Sequence, residues 1–191
     1  LFKNPVRSSV TKYIAAEILY YFSGTNKADF IEKYAAMWTK LKDKDNKVNS
    51  AYGYLLFNER NEYGYTQYEW VIDSLMKDKD SRQAFMHFNK PRHQFPGNKD
   101  QVCTLQALFH IRDNKLYMTL TMRSNDVILG FMTDYTFFTI LHQQVYLDLK
   151  DWYPELQLGS YTHISHSMHL YANNYELVEN MLKHDFEPDA L

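Results

Sequence analysis

The clearest pattern in the chain lies around residues 104 to 122. Leu116, Met118 and Leu120 fall on one parity and Tyr117, Thr119 and Thr121 on the other, the period-two alternation of a half-buried strand. A strand opening just after Cys103, a tight turn at Asp113-Asn114 and a second strand ending in Met122-Arg123-Ser124-Asn125-Asp126 predict a β-hairpin. Elsewhere the spacing is helical. Val10, Tyr13, Ile14, Ile18, Tyr21 and Phe22 predict an amphipathic helix from Ser8 to Ser23, stopped by Gly24. A second helix is expected from about Ala28 to Leu41, followed by a charged, solvated loop from Lys42 to Ser50. A third runs from Tyr65 to Lys77, with Tyr68, Val71, Ile72 and Leu75 on one face. After a strand from Ala84 to Phe88 comes a polar, Pro- and Gly-containing connection, Asn89 to Gln101. Phe138, Leu141, Val145 and Leu149 predict a core helix from Tyr135 to about Leu149, and Gly159 to Asn174 reads as a strand leading into a helix. Strands interleaved with helices imply one α/β or α+β domain.

Composition narrows the function classes. With 191 residues and 45% hydrophobic content the chain can bury one sizeable core. The formal charge is -2 and the basic residues are scattered, so no footprint for nucleic acid appears. No apolar run approaches the length of a membrane span and no signal-like segment opens the chain. A single cysteine excludes an intramolecular disulfide framework and fits a reducing compartment. The expected location is therefore cytoplasmic, that of a host cell if the gene is viral. Aromatic content of 16%, with 16 Tyr and 12 Phe, suits a ligand site or a dimer interface as well as a core.

The hairpin reading places the lone thiol of Cys103 and the pair Arg123-Ser124 at one end of the sheet. A thiolate is a nucleophile, and a nearby guanidinium both lowers the thiol pKa and binds phosphate through charge-assisted hydrogen bonds. On composition alone a single cysteine is more often a small buried hydrophobe. His163, His166 and His169 have a spacing that suggests a metal cluster, but on a strand three-residue spacing puts neighbours on opposite faces. His87, His93 and His110 also lack a ligand spacing, and no metal is expected.

The Cys103 stretch resembles the thymidylate synthase superfamily. There a Cys opens a strand and an Arg-Ser-x-Asp-Val-x-x-Gly run follows about twenty residues later, here Arg123-Ser124-Asn125-Asp126-Val127-Ile128-Leu129-Gly130. Glu17-Ile18-Leu19-Tyr20-Tyr21-Phe22-Ser23-Gly24 is similar to the family's Glu-Leu-Leu-Trp-Phe-Leu-x-Gly helix, and Trp38 and Tyr52-Gly53 match its Trp and Tyr-Gly pair. Asp78 to Gln83 resembles Asp-Pro-x-Ser-Arg-Arg, with Arg82 in the first Arg position and Gln83 in place of the second. His169-Leu170-Tyr171 matches His-x-Tyr. Two departures resemble the deoxycytidylate hydroxymethylase branch: Asp134 where the synthases have the Asn of Gly-x-Pro-x-Asn, and His166-Ser167 where they have Gly-Asp.

The resemblance implies a thymidylate synthase-like fold, a central mixed β-sheet flanked by helices, in a homodimer formed sheet to sheet. One catalytic domain over residues 1–191 is expected, lacking the family's N-terminal strand and loop and its C-terminal tail. It also implies roles. Cys103 adds to pyrimidine C6, Glu17 organises water and proton transfer, Tyr52 belongs to the catalytic set, and Asp134 reads the base. Arg123, Ser124 and a partner-chain Arg82 hold the phosphate, while His169 and Tyr171 hold the sugar. Trp38, Asp126 and Gly130 line the place of the one-carbon donor, 5,10-methylenetetrahydrofolate. The implied activity is hydroxymethylation of a cytidine monophosphate, with a thymidylate synthase, a dUMP hydroxymethylase or an inactive nucleotide-binding family member as alternatives.

Overall fold

In the computed structural model, residue 6 and residues 11–184 are described. The predicted hairpin forms the centre of a four-stranded sheet. Strands β1 (Phe85–His87), β2 (Thr104–Arg112), β3 (Lys115–Met122) and β5 (Gln157–Ser165) lie in the order β1-β2-β3-β5. The first two pairings are antiparallel and β3 pairs with β5 in parallel, so the sheet is mixed. The hairpin turn falls at Asp113 and Asn114, both at positive φ (49° and 57°). Asn and Asp tolerate that region, and its twist matches the flanking strands. A two-stranded parallel pair, β4 (Asn125–Asp126) with β6 (Met168–His169), extends the end of the sheet that carries Cys103.

Burial alternates as the sequence pattern requires. Met86, Ala107, Phe109, Leu116, Met118 and Leu120 are fully buried on one face, whereas Leu108, His110, Tyr117, Thr119 and Thr121 on the other are half-buried. The buried face packs on helices α1 (Thr11–Phe22), α3 (Tyr52–Phe57), α4 (Gln67–Lys77) and α5 (Gly130–Lys150). All four expected core positions of α5, Phe138, Leu141, Val145 and Leu149, are fully buried. Among the described residues no helix is long and apolar enough to cross a membrane.

Several boundaries differ from expectation, each for a tertiary reason. The start of the first predicted helix, Ser8 to Val10, lies outside the described residues; α1 itself ends at Phe22, one residue before the expected Ser23. The helix expected over Ala28 to Leu41 is instead a 3-10 turn, Ile31–Lys33, and the short α2, Met37–Leu41. Its first turn is drawn into pairing with the loop that follows: Ala28 N–H donates to the Asn46 carbonyl, Val48 N–H to Asn26, and Lys27 bridges Lys47. Tyr52-Gly53 opens a further helix, α3. Gly53 is needed there because a Cβ would sit 1.6 Å from the Tyr21 carbonyl oxygen of α1. Downstream, β5 begins before Gly159, β6 follows it, and α6 (Tyr175–Leu182) starts only after Asn174.

Candidate active site

Two backbone ladders bring the site together. In the hairpin, Arg123 N–H donates to the Cys103 carbonyl at 2.9 Å, so strand register alone sets these residues side by side. The guanidinium then folds back over the thiol. Its Nη2 donates to the Gln101 carbonyl at 2.7 Å and lies 3.6 Å from Cys103 Sγ, while Nε donates to the Val102 carbonyl at 3.0 Å. Neutral carbonyls orient the guanidinium without cancelling its charge. The second ladder is β4 against β6, with Asp126 opposite His169. It carries Ser124 Oγ to within 3.4 Å of His169 Nδ1, and the His169 ring stands perpendicular to Tyr171 at 4.9 Å.

The effect of Arg123 on the thiol differs from the expectation. Arg123 does pull the Cys103 pKa down, but burial is the larger influence and Asp134 and Asp100 push the same way as burial. The thiol is therefore raised above its ordinary value and protonated at neutral pH in the free protein. Desolvation outweighs one partly exposed positive charge.

Asp134 was expected just ahead of a helix and is found within one, since α5 starts at Gly130. Asp126 closes the turn that leads into α5, its carboxylate accepting from Ile128 N–H at 3.2 Å and Leu129 N–H at 3.0 Å. Gly130 lets that turn pass over the site; a Cβ there would lie 3.2 Å from Asn125 Nδ2 and 3.5 Å from Asp134 Oδ2. Asn125, a residue that motif reading passed over, donates from Nδ2 to Asp134 Oδ2 at 2.8 Å. Burial, reinforced by the charge of Glu17, pushes the Asp134 carboxyl up to about 8, with the Asn125 hydrogen bond only partly opposing. Asn125 is 3% exposed, and its Oδ1 has no hydrogen-bond partner among the described residues.

Glu17 is buried on α1 between two phenols one turn away on either side. Its Oε1 accepts from Tyr13 Oη at 2.8 Å and from Tyr21 Oη at 3.3 Å. Burial raises its pKa, and these hydroxyls, with Thr133, oppose the rise. Both tyrosines were visible in the sequence as helical neighbours of Glu17 but carried no motif signal. Trp38 Nε1 donates to Tyr13 Oη at 3.0 Å, and at 2% exposure the indole lies behind the site, not on its wall. Tyr52 stacks on Tyr21 with ring centroids 5.1 Å apart, and its phenol is close enough to Asp134, Cys103 and Glu17 to feel their charge. Cys103, Glu17, Tyr52 and Asp134 therefore share one buried neighbourhood.

Arg82 is not part of it. It lies in a surface recess with Asp78, Asp80, Ser81, Gln83 and Arg112. Arg112 is the last residue of the nine-residue β2 and Cys103 precedes the first, so roughly 30 Å separates recess from thiol at about 3.3 Å per residue. The three histidines are also dispersed: His163 sits on β5 with Nδ1 2.7 Å from Tyr161 Oη, His166 in the following turn, and His169 on β6. Among the described residues no group of three or more His, Cys, Asp or Glu could hold a metal ion.

Chemically, the arrangement offers a nucleophile beside a fixed cation, a neutral carboxyl paired with an amide, and a second buried carboxyl fed by phenols. Comparison with known proteins places these features in a family. The thymidylate synthase family model matches residues 5–190. A deoxycytidylate 5-hydroxymethyltransferase of Enterobacteria phage T6 is 31% identical over 182 residues, covering 90% of this chain and 72% of the phage protein. A thymidylate synthase of Fusobacterium nucleatum is 27% identical over 167 residues, 86% of this chain and 58% of that enzyme. A deoxyuridylate hydroxymethyltransferase of Pseudomonas phage M6 is 28% identical over 158 residues, 81% of this chain and 43% of that protein. The chain belongs to the thymidylate synthase family.

Proposed function

We propose that this protein transfers a one-carbon unit from 5,10-methylenetetrahydrofolate to C5 of a cytidine monophosphate, dCMP in the first instance, with water completing a hydroxymethyl group. The observation that carries the choice of base is the Asp134 carboxyl, raised to about 8 and held by Asn125. Cytosine offers an N3 acceptor beside an N4 amino donor. A protonated Asp134 donates to N3 with one carboxyl oxygen and accepts from the amino group with the other, while Asn125 Nδ2 holds the carboxyl in place. Uracil, with N3–H and O4, presents the opposite polarity and would leave buried groups unpaired.

Donation to N3 draws electrons from the ring and favours attack at C6. Cys103 Sγ forms the bond to C6, and C5 becomes the nucleophilic end of an enamine. Because the thiol is protonated in the free protein, it passes its proton to water before the bond forms; Arg123, 3.6 Å away, stabilises the thiolate in that step. Methylenetetrahydrofolate supplies the electrophilic methylene. The part of the site that fits it is the surface around Asp126 and Gly130, where Val127 and Leu129 are 39% and 56% exposed and offer an apolar wall to a heteroaromatic ring. Trp38 reaches the site through Tyr13, to whose hydroxyl its indole N–H donates. Loss of the C5 proton with departure of tetrahydrofolate leaves an exocyclic methylene; Glu17 takes a proton from the water that adds to it, a task suited to a buried carboxyl with a raised pKa, and expulsion of the Cys103 thiolate from C6 restores the ring.

Arg123 and Ser124 receive the phosphate, His169 and Tyr171 the sugar. Arg82 lies too far from its own chain's thiol to join them. A homodimer packed through the half-buried sheet face would bring it to the partner's nucleotide.

Turnover of dCMP and dUMP by the parent and by Asp134→Asn tests the base assignment. The variant is expected to shift the dCMP to dUMP preference by on the order of a hundredfold toward uracil; an unchanged ratio overturns it. The names of the relatives at 27% and 28% identity favour a second reading, transfer to dUMP. Preference of the parent for dUMP would support it, and dihydrofolate absorbance would then mark methyl rather than hydroxymethyl formation.

A further inference from the structure

A phosphate monoester dianion is held best by paired guanidiniums, each offering two parallel N–H donors. In the segment that carries Arg82 the next residue is Gln83, which has no charge to offer. The fold places another guanidinium in the same recess, about 480 Å³ in volume: Arg112, distant in sequence, at the far end of β2. It follows Leu108 and His110 on the outward parity of the strand, so it stands on the sheet face that the dimeric reading packs against a second copy.

We infer that Arg112 supplies the second guanidinium of the phosphate clamp that reaches the partner's nucleotide, in the role Gln83 leaves open. The inference rests on the dimeric reading above. The recess is built for such a pair. Trp70 Nε1 donates to the Gln83 carbonyl at 2.9 Å and Gln83 N–H donates to Ser81 Oγ at 3.2 Å, which fixes the backbone on which Arg82 is carried. Asp78 is occupied within the turn, accepting from Asp80 N–H at 2.9 Å. Asp80 lies 3.5 Å from Arg112 Nη1, with side chains 85% and 44% exposed. An ion pair that open to water is weak, and a phosphate dianion displaces it. Asp80 thus serves as a stand-in for phosphate in the free protein and a competitor during binding.

The test compares Arg112→Ala, Arg82→Ala, and Arg112→Ala combined with Gln83→Arg, using whichever of dCMP or dUMP the parent turns over. Arg112→Ala is expected to raise the nucleotide KM about ten- to a hundredfold with kcat nearly unchanged. Binding of inorganic phosphate, which does not depend on the base, should weaken in parallel, and Gln83→Arg should restore both. Asp80→Asn should lower the KM. Mixing Arg112→Ala with Cys103→Ser chains at sub-saturating substrate should recover activity toward about a quarter of the parent's, since half of the dimers are mixed and one site in each is intact. A raised KM in Arg82→Ala but not in Arg112→Ala removes Arg112 from the clamp and leaves the dimeric reading standing. No change in either variant, or no recovery on mixing, overturns both.

Discussion

Asp134 links chemistry to stability with a definite sign. Its folded pKa of about 8 lies far above the unfolded value of about 3.9, so the folded chain retains a proton that the unfolded chain releases. The stabilisation is complete below about pH 4 and is lost as pH climbs through about 8. Differential scanning calorimetry of parent and Asp134→Asn should show melting temperatures that separate between pH 5 and pH 8.5 in favour of the variant. Parallel curves would mean that the carboxyl titrates normally. At Glu17, Tyr13→Phe removes the hydroxyl 2.8 Å from Oε1. We expect kcat to fall about tenfold with the nucleotide KM little altered, the mark of a residue acting through a proton-transfer group; steady-state kinetics would show a KM effect instead if Tyr13 only shaped the pocket. Cys103, Glu17, Arg123 and Asp134 were legible in the sequence because each stands in a motif. Asn125 stands in the same motif as its variable position, and its part is visible only in the contact with Asp134.

At the scale of elements, close approach decides more than propensity. Gly53 lies under the Tyr21 carbonyl, where any side chain meets backbone that cannot move aside. Gly53→Ala should destabilise the fold by about 3 kcal/mol or more, read as a lowered urea midpoint; a loss below about 1 kcal/mol would show that α1 and α3 can separate. Asp126→Ala removes the side-chain bonds that close the turn before α5 and should lower stability by about 1 kcal/mol while loosening Asp134, so the nucleotide KM should rise as well. The hairpin, α4 and the core of α5 were readable because their hydrophobic period matches their burial. The region from Ala28 to Leu41 misled because its helical spacing competes with backbone pairing to residues 46 to 48. The early start of α5 was missed because the turn leading into it is closed by the Asp126 side chain, a local contact that leaves no mark in the hydrophobic period.

For the whole molecule, the half-buried sheet face is the feature that asks for a partner. Thr119 lies in it, and in a two-fold interface a substitution appears on both sides. Thr119→Glu is expected to halve the mass seen by sedimentation equilibrium and to abolish phosphate capture by Arg82, whereas an unchanged mass would place any interface elsewhere. The sequence by itself determined the alternation that builds the sheet, the helices that cover it, and the family to which the motifs point, because those are local or periodic properties of the chain. Only the tertiary structure decided the upward shift of Cys103 and Asp134, the pairing of Asn125 with Asp134, and the placing of Arg82 and Arg112 in one recess. Burial and charge proximity arise between residues far apart in sequence, and no local pattern encodes them.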